Sequence, residues 1–205
     1  MGTFNTYGQK KKTYGGSNPV WLTVSQKERG GGVLEELPPI GTVLRAGTLV
    51  HLDDNVAKVI ETFEVAEPVS ATDTEVKVFA HGSVLKDGLN LMKSPAALTT
   101  AGTGVTVSGT ALDSGNNLYK FTIAANAFGV LAKGDILVKA SKAGTGAKIF
   151  AVPTGITEND VWVEDGDKAA TVASVYHGEV MEDRIQPVPE CVKAVLPMIK
   201  FVKGI

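Results

Sequence analysis

Apolar and polar residues alternate in short segments along most of the chain, and clusters of glycine or polar residues separate these segments. Residues 118–123, for example, place Tyr119, Phe121 and Ile123 on one face of an extended strand. Runs with helical spacing are scarce, and residues 190–196 predict a single short helix. The pattern therefore predicts an all-β protein.

A short motif, Val-Leu-x-x-Gly, occurs three times, at residues 43–47, 84–88 and 130–134. In each copy two apolar residues are expected to end a strand and two mostly polar residues to begin a turn. The glycine then supplies a backbone conformation that other residues resist, and an apolar-rich strand follows. The motif predicts turns between strands and carries no catalytic chemistry.

The composition along the chain predicts three parts. Residues 1–37 are rich in Gly, Asn, Thr, Lys and Ser, so they bury too little apolar surface to fold alone, and an extended arm is expected. The amino-acid composition changes at residue 66, and it changes again after residue 140, where small residues form a connector. Residues 66–140 therefore predict a small β-barrel or sandwich inserted into a body of residues 38–65 and 141–205, and that body is expected to fold without the insert.

Apolar and aromatic residues interrupt the polar arm. The run at residues 20–24 is apolar and β-branched, so it could add a strand to the edge of a neighbouring sheet. Buried aromatic side chains commonly contribute most of the energy of an interface, which makes Trp21 the chief candidate. The residues predicted to bind a partner are Phe4, Tyr7, Tyr14, Val20, Trp21, Leu22 and Val24.

The charge balance and the single cysteine exclude several classes of protein. The 205 residues carry a net charge of -2, without the basic face that nucleic acid or an anionic membrane would need. Cys191 cannot form an internal disulfide, and the chain lacks the spaced cysteines and histidines of a zinc site. There is no signal peptide and no apolar stretch of about 18 residues, so we expect synthesis in the cytoplasm as a soluble chain.

The motifs of common enzymes are also missing. No nucleophile elbow, zinc-protease motif or dinucleotide fingerprint occurs in the sequence. His51 with Asp53 or Asp54 is the best pair for acid–base chemistry, although a turn next to a histidine explains the same residues. Asp165 and Asp167 are too few oxygen donors for a calcium loop. We therefore expect no enzyme, no cofactor and no metal site.

Three stretches of the body resemble the head decoration and head fibre proteins of tailed bacteriophages. These are residues 41–50, 173–180 and 196–202, and residues 66–140 are similar to a β module of phage structural proteins. The resemblance implies a β-clip-like decoration domain in a virion structural protein on the capsid surface. It also implies that the partner is the major capsid protein and that the chain forms a homo-oligomer, with a trimer favoured.

Two other functions compete with capsid decoration. In the first, the inserted module faces outward and acts in adhesion or carbohydrate binding, as in a head fibre. Such a module would present exposed aromatic side chains on one face, and three of the six tryptophans and tyrosines lie in the arm. The second alternative is an enzyme that carries a β-clip.

Overall fold

A computed structural model describes residues 20–28, 30–113, 118–164 and 167–204. About 46% of the described residues are in strands and 4% are in helices, which confirms the predicted all-β class. The short helix predicted within residues 190–196 is present as α1, Glu190–Lys193, and a 3-10 turn precedes it at Glu182–Arg184. No helix in the described ranges has the length and apolar character needed to cross a membrane.

The strands are named in chain order. They are β1 Trp21–Lys27, β2 Gly32–Leu34, β3 Val43–Leu44, β4 Leu49–Asp53, β5 Val56–Ile60, β6 Thr62–Val65, β7 Glu75–Phe79, β8 Asn90–Lys93, β9 Gly102–Thr106, β10 Ser108–Asp113, β11 Leu118–Thr122, β12 Ile136–Lys139, β13 Gly144–Ala147, β14 Gly155–Thr157, β15 Val161–Trp162, β16 Thr171–Val172, β17 Ser174–Met181 and β18 Ile199–Val202.

These strands form two large sheets and one small pair. The first sheet has the order β1-β17-β14-β4-β5-β2-β16, and β18 pairs in parallel with β17. The second sheet has the order β10-β11-β7-β6-β12-β8-β9-β13, and β15 pairs with β3. The second sheet consists of consecutive strands from residues 62–147, so it lies in sequence between two halves of the first. It extends beyond the predicted insert, 66–140, by the strands β6 and β13.

The glycine of the repeated motif adopts the expected backbone conformation in all three copies. The φ angles of Gly47, Gly88 and Gly134 are 88°, 84° and 86°, which residues with a Cβ atom rarely adopt. A strand begins two residues after each glycine, at β4, β8 and β12. The motif thus marks a turn and the start of a strand, whereas a strand ends within it only in the first copy, at β3.

The structure differs from the expectation of an extended arm through residue 37. The strand β1 pairs antiparallel with β17, and β2 pairs in parallel with β5. Backbone hydrogen bonds close both ends of β1: Met181 N–H donates to Val20 O at 2.8 Å, and Glu28 N–H donates to Ser174 O at 2.9 Å. The β-branched run at residues 20–24 therefore pairs with β17 of its own chain, and not with a neighbouring molecule as the sequence allowed.

Two faces of the second sheet bury different cores. On one face, Leu91 and Leu137 lie in a cluster built entirely from residues of the second sheet and its loops. Met92 and Val138 follow them in β8 and β12, so their side chains point to the opposite face. There they belong to a cluster that also contains residues of the first sheet such as Ile156. Both faces of β8 and β12 are therefore covered by protein.

A segment that follows β17 ties the two sheets together where the chain crosses between them. The Gln186 side chain donates from Nε2 to Ile60 O at 2.9 Å and accepts from Ser83 Oγ at 2.8 Å. The Thr62 hydroxyl donates to Pro187 O at 2.7 Å. All three side chains are buried. Because these buried polar groups have partners, they fix the position of one sheet against the other.

Candidate functional site

The strand β1 is the first candidate site, because it ends the first sheet. Within the described residues β1 pairs with β17 and with no other strand, so its second edge has no partner there. Thr23 to Lys27 are exposed, and Val24 exposes 38% of its surface. A long edge strand presents unpaired backbone N–H and C=O groups to which a further strand can bind.

Trp21 holds β1 against its own sheet. The indole N–H donates to Thr157 O at 3.1 Å, and the ring packs against the core shared by the two sheets. Gly178 makes this approach possible, because a Cβ atom there would lie 2.4 Å from Thr23 O and 3.3 Å from the Trp21 ring. At the other end of β1, Nζ of Lys27 lies 2.8 Å from a carboxylate oxygen of Glu158.

The predicted partner-binding residues thus fall into three groups. Trp21 faces its own core, and Val20 and Leu22 are half-buried beside it. Val24 is exposed on β1 and is free to contact another molecule. The remaining three lie outside the described residues: Phe4, Tyr7 and Tyr14. Partner binding by all seven stays a prediction.

A narrow cleft at the junction of the two sheets is the second candidate site. We name it the junction slot and define it by six half-buried apolar residues: Leu37, Pro38, Val43, Val59, Val84 and Phe150. It contains about 600 Å³ of empty space, including the part open to solvent, but a water-sized sphere can be centred in only about 40 Å³ of it. The part of the slot that is wide enough for a water molecule is therefore small.

A buried ion pair lies beside the floor of the junction slot. Nζ of Lys139 is 3.1 Å from Oε2 of Glu61, although the contact lacks the direction of a hydrogen bond, and the two side chains are 9% and 13% exposed. The same ammonium group donates to Val59 O at 3.3 Å and lies 4.3 Å from the centre of the Phe150 ring. The backbone N–H of Lys139 also donates to Glu61 O, at 2.9 Å. This pair joins the end of β12 to Glu61, which lies where the chain crosses from β5 of the first sheet to β6 of the second.

A second ion pair lies at the rim of the slot. Nζ of Lys86 donates to Oε2 of Glu36 at 3.1 Å, and both side chains are exposed. This hydrogen bond, together with the charge of Lys139, lowers the pKa of Glu36 from its ordinary value. Glu36 is therefore ionised at neutral pH, and each of these two ammonium groups has a carboxylate next to it.

The residues considered for acid–base or cation chemistry have structural roles. Nδ1 of His51 donates to Val152 O at 2.6 Å, since a carbonyl can only accept. Asp53 ends β4, and the turn that follows has positive φ angles at Asp54 and Asn55, as in a type I′ hairpin. Asp165 lies outside the described residues, and Asp167 accepts a hydrogen bond from Glu164 N–H. No group of three possible metal ligands occurs in the described part of the chain.

Sequence reasoning missed the junction slot and its ion pair. One signal was present, because Lys139 interrupts the apolar run at residues 136–140. A lysine inside a strand that is covered on both faces needs a buried counter-charge. Glu61 could not be chosen as that partner, since many carboxylates are available and the pairing of β6 with β12 decides which one is near.

Comparison with known proteins adds no relative. No protein-family model matches the chain, and no curated protein or solved structure matches it.

Proposed function

We propose that this protein is a non-enzymatic structural protein of a phage virion, which binds the assembled capsid surface and reinforces it. The observation that supports the proposal most is the position of β1 at the end of the first sheet, with one edge unpaired among the described residues. This exposed edge lies directly after the polar residues 1–19, which contain three of the predicted partner-binding side chains.

The partner in this proposal is the major capsid protein. An extended segment of a coat subunit would add to the free edge of β1, where backbone hydrogen bonds supply affinity and exposed side chains such as Val24 supply specificity. Residues 1–19 would contact the same shell, because a polar segment with aromatic side chains gains binding energy when a partner orders it. The protein would be made in the host cytoplasm and would then act on the capsid surface as a homo-oligomer, with a trimer favoured.

Reinforcement follows from linkage. A protein that binds intact shell more tightly than dissociated coat subunits stabilises the shell by its binding free energy at every occupied site. A rigid body suits this role, and the buried hydrogen bonds of Gln186 and Thr62 between the sheets supply rigidity. The resemblance to decoration proteins at residues 41–50, 173–180 and 196–202 points the same way.

Sedimentation with empty shells of the same phage tests the proposal. Val24→Glu places a charge on the free edge of β1, and we expect it to weaken attachment by about tenfold or more, because a carboxylate at an interface loses water without gaining a partner. Val130→Glu is the control, since Val130 is 68% exposed in the loop between β11 and β12, away from β1 in the sequence. It should attach as the natural protein does. Equal attachment of both variants would contradict a β1 interface.

A truncation separates the two parts of the proposed interface. Removal of residues 1–19 leaves Trp21 and its hydrogen bond to Thr157 in place, so the body should unfold as before while attachment weakens. Removal through residue 24 would also delete Trp21 and so would disturb the core. Unchanged attachment after removal of residues 1–19 would confine the interface to the body.

Adhesion through the second sheet is the alternative. A carbohydrate-binding face needs exposed aromatic rings, and every aromatic side chain whose burial is described is buried or half-buried. This observation does not favour the glycan-binding alternative.

A further inference from the structure

We propose that the junction slot receives the side chain of Ile40 from a second copy of this chain. This contact holds together the homo-oligomer of the proposed function, on which the inference rests, but no capsid is needed for it to form. Three features of the molecule support it: the exposure of Ile40 on a fixed turn, the size of the slot, and the balance of charges around the slot.

Ile40 is an exposed apolar side chain on a fixed turn. It exposes 66% of its surface, although the removal of apolar surface from water is favourable. The turn is closed by a hydrogen bond from Thr42 N–H to Pro39 O at 3.0 Å, and the φ angle of Gly41, 80°, is that of a type II turn. Gly41 N–H also donates to Val163 O at 3.0 Å. These hydrogen bonds fix the backbone that presents Ile40 to water.

The slot has room for one aliphatic side chain. A water-sized sphere can be centred in about 40 Å³ of it. One water molecule needs about 10–15 Å³ on this measure, so the slot has space for about three groups of that size, as many as the carbon atoms of isoleucine beyond Cβ. The slot is therefore too small for most ligands, but it matches the end of one isoleucine side chain.

Ile40 lies next to the slot in the chain. Pro38 and Pro39 line the slot and directly precede Ile40, which itself stays exposed. Two copies that meet at this surface can therefore each insert one side chain and receive one, and successive copies can close a ring such as the favoured trimer. Val84 and Phe150, which are half-buried in the slot walls, would lose their remaining contact with water, and this burial stabilises the contact.

The charges around the slot allow two identical surfaces to meet. At the rim Lys86 pairs with Glu36 at 3.1 Å, and Glu35 and Lys58 add one charge of each sign. The buried ion pair beside the floor is balanced as well. A surface with a strong net charge would repel its own copy, whereas a balanced surface does not. Its charged side chains can form the polar rim that commonly surrounds the apolar centre of an interface.

Sedimentation velocity of the full-length protein, without shells, tests this contact. The natural protein should sediment as an oligomer at about 1 mM, and Ile40→Asp should raise the dissociation constant by about tenfold or more, because its carboxylate would enter the apolar slot without a partner. Val130→Asp is the control, since Val130 is 68% exposed in the loop between β11 and β12, and it should associate as the natural protein does. A natural protein that stays monomeric at about 1 mM, or equal association of both variants, would overturn the proposal.

Mixed cysteine variants locate the contact. One preparation carries Ile40→Cys, and a second preparation with an added tag carries Val84→Cys, so a disulfide that joins the two different masses forms between copies. We expect this disulfide on oxidation, whereas Val130→Cys mixed with Val84→Cys should give little, because a disulfide needs two closely placed Cα atoms. The natural Cys191 is buried and should stay reduced. An oligomer that Ile40→Asp breaks, but that gives no disulfide between positions 40 and 84, would overturn the slot as the receptor of Ile40.

The contact between copies and the attachment to shells fail in different measurements. A protein that does not attach to shells can still associate with itself through Ile40, and a monomeric protein can still attach through β1. If Ile40→Asp leaves self-association unchanged and weakens attachment to shells instead, the coat protein is the partner of Ile40, and the proposed contact between copies is wrong.

Discussion

The first and the second sheet bury their apolar side chains in different ways. The second sheet has a cluster that consists only of its own residues, and Phe63, Phe121 and Leu131 are fully buried in it. The main cluster of the first sheet also contains side chains of the second, among them Met92 and Val138. The second sheet therefore has a core of its own, whereas side chains of the second sheet form part of the first sheet's core.

This difference shows that the order of strands in the chain does not decide which sheet needs the other in order to fold. The second sheet is an insertion in sequence, and insertions are commonly regarded as additions to a self-sufficient body. Here the inserted residues supply one wall of the body's core. We expect the second sheet to fold without the first more readily than the first folds without the second.

Removal of the insert should have the largest effect. Joining residues 65 and 141 by a short Gly-Ser linker deletes Met92, Val138 and Ala140 from the shared cluster, and we expect the remainder to lose cooperative unfolding. A fragment of residues 62–147 keeps its own cluster and should unfold cooperatively, as measured by circular dichroism during urea titration. This outcome differs from the body predicted by the composition change. A cooperatively folded remainder would contradict the shared core.

Core truncations should separate the two clusters within the full chain. Phe121→Ala should lower the free energy of unfolding of the second sheet by about 3–5 kcal/mol, because it opens a cavity in that sheet's own core. Met92→Ala should cost about 2–5 kcal/mol and affect both sheets. Hydrogen exchange resolves the two cases, since Phe121→Ala should accelerate exchange chiefly in the second sheet. Identical exchange patterns for both variants would show that the two cores unfold as one unit and would contradict their separation.

The buried ion pair between Lys139 and Glu61 tests the stability of the region where the chain passes from β5 to β6. Lys139→Met leaves the Glu61 carboxylate without its counter-charge and should cost about 3–5 kcal/mol in the free energy of unfolding. The double variant Lys139→Met with Glu61→Leu removes both charges and should recover most of that loss. Chemical denaturation of the four proteins in this cycle measures the coupling. A double variant as unstable as Lys139→Met would show that the lost stability comes from packing and not from the unpaired charge.

The pH dependence of Asp135 gives a smaller effect, confined to the second sheet. Burial tends to raise its pKa, but the Lys93 ammonium, 2.7 Å away, and the Ala132 N–H, 2.8 Å away, hold the pKa below the ordinary value. Since the folded-state pKa is depressed, the contribution is present above the unfolded pKa, about 3.9, and is lost as pH falls through the folded pKa. Asp135→Asn should therefore cost about 1 kcal/mol at pH 7, and this cost should shrink as pH falls through the folded-state pKa. A cost that stays constant with pH would contradict this role.

The sequence predicted much of the fold because local signals are strong in this chain. The alternation at residues 118–123 and the glycines of the repeated motif act within a few residues, and the structure has the strand and the turns where they were expected. The strand β1 was different. Its apolar run indicated strand formation, but the edge that receives it is β17, about 150 residues away in sequence.

The junction slot shows why sites are harder to predict than strands. Its walls come from residues near 37, 59, 84 and 150, and only the folded chain brings them together. Lys139 was recognisable as unusual in an apolar run, whereas its pairing with Glu61 depends on the register of β6 and β12. The same limit applies to the predicted partner-binding residues, because the sequence alone does not show whether Trp21 faces its own core or a partner.

Scanning calorimetry of empty shells tests the central claim, reinforcement of a capsid by this protein, most directly. The transition temperature of the shells should rise with added protein and level off once all sites are filled, because only intact shell offers the binding site. Val130→Glu should raise it equally, and Val24→Glu should need a higher concentration for the same effect. A transition temperature that stays unchanged while the protein sediments with the shells would contradict reinforcement and would favour adhesion.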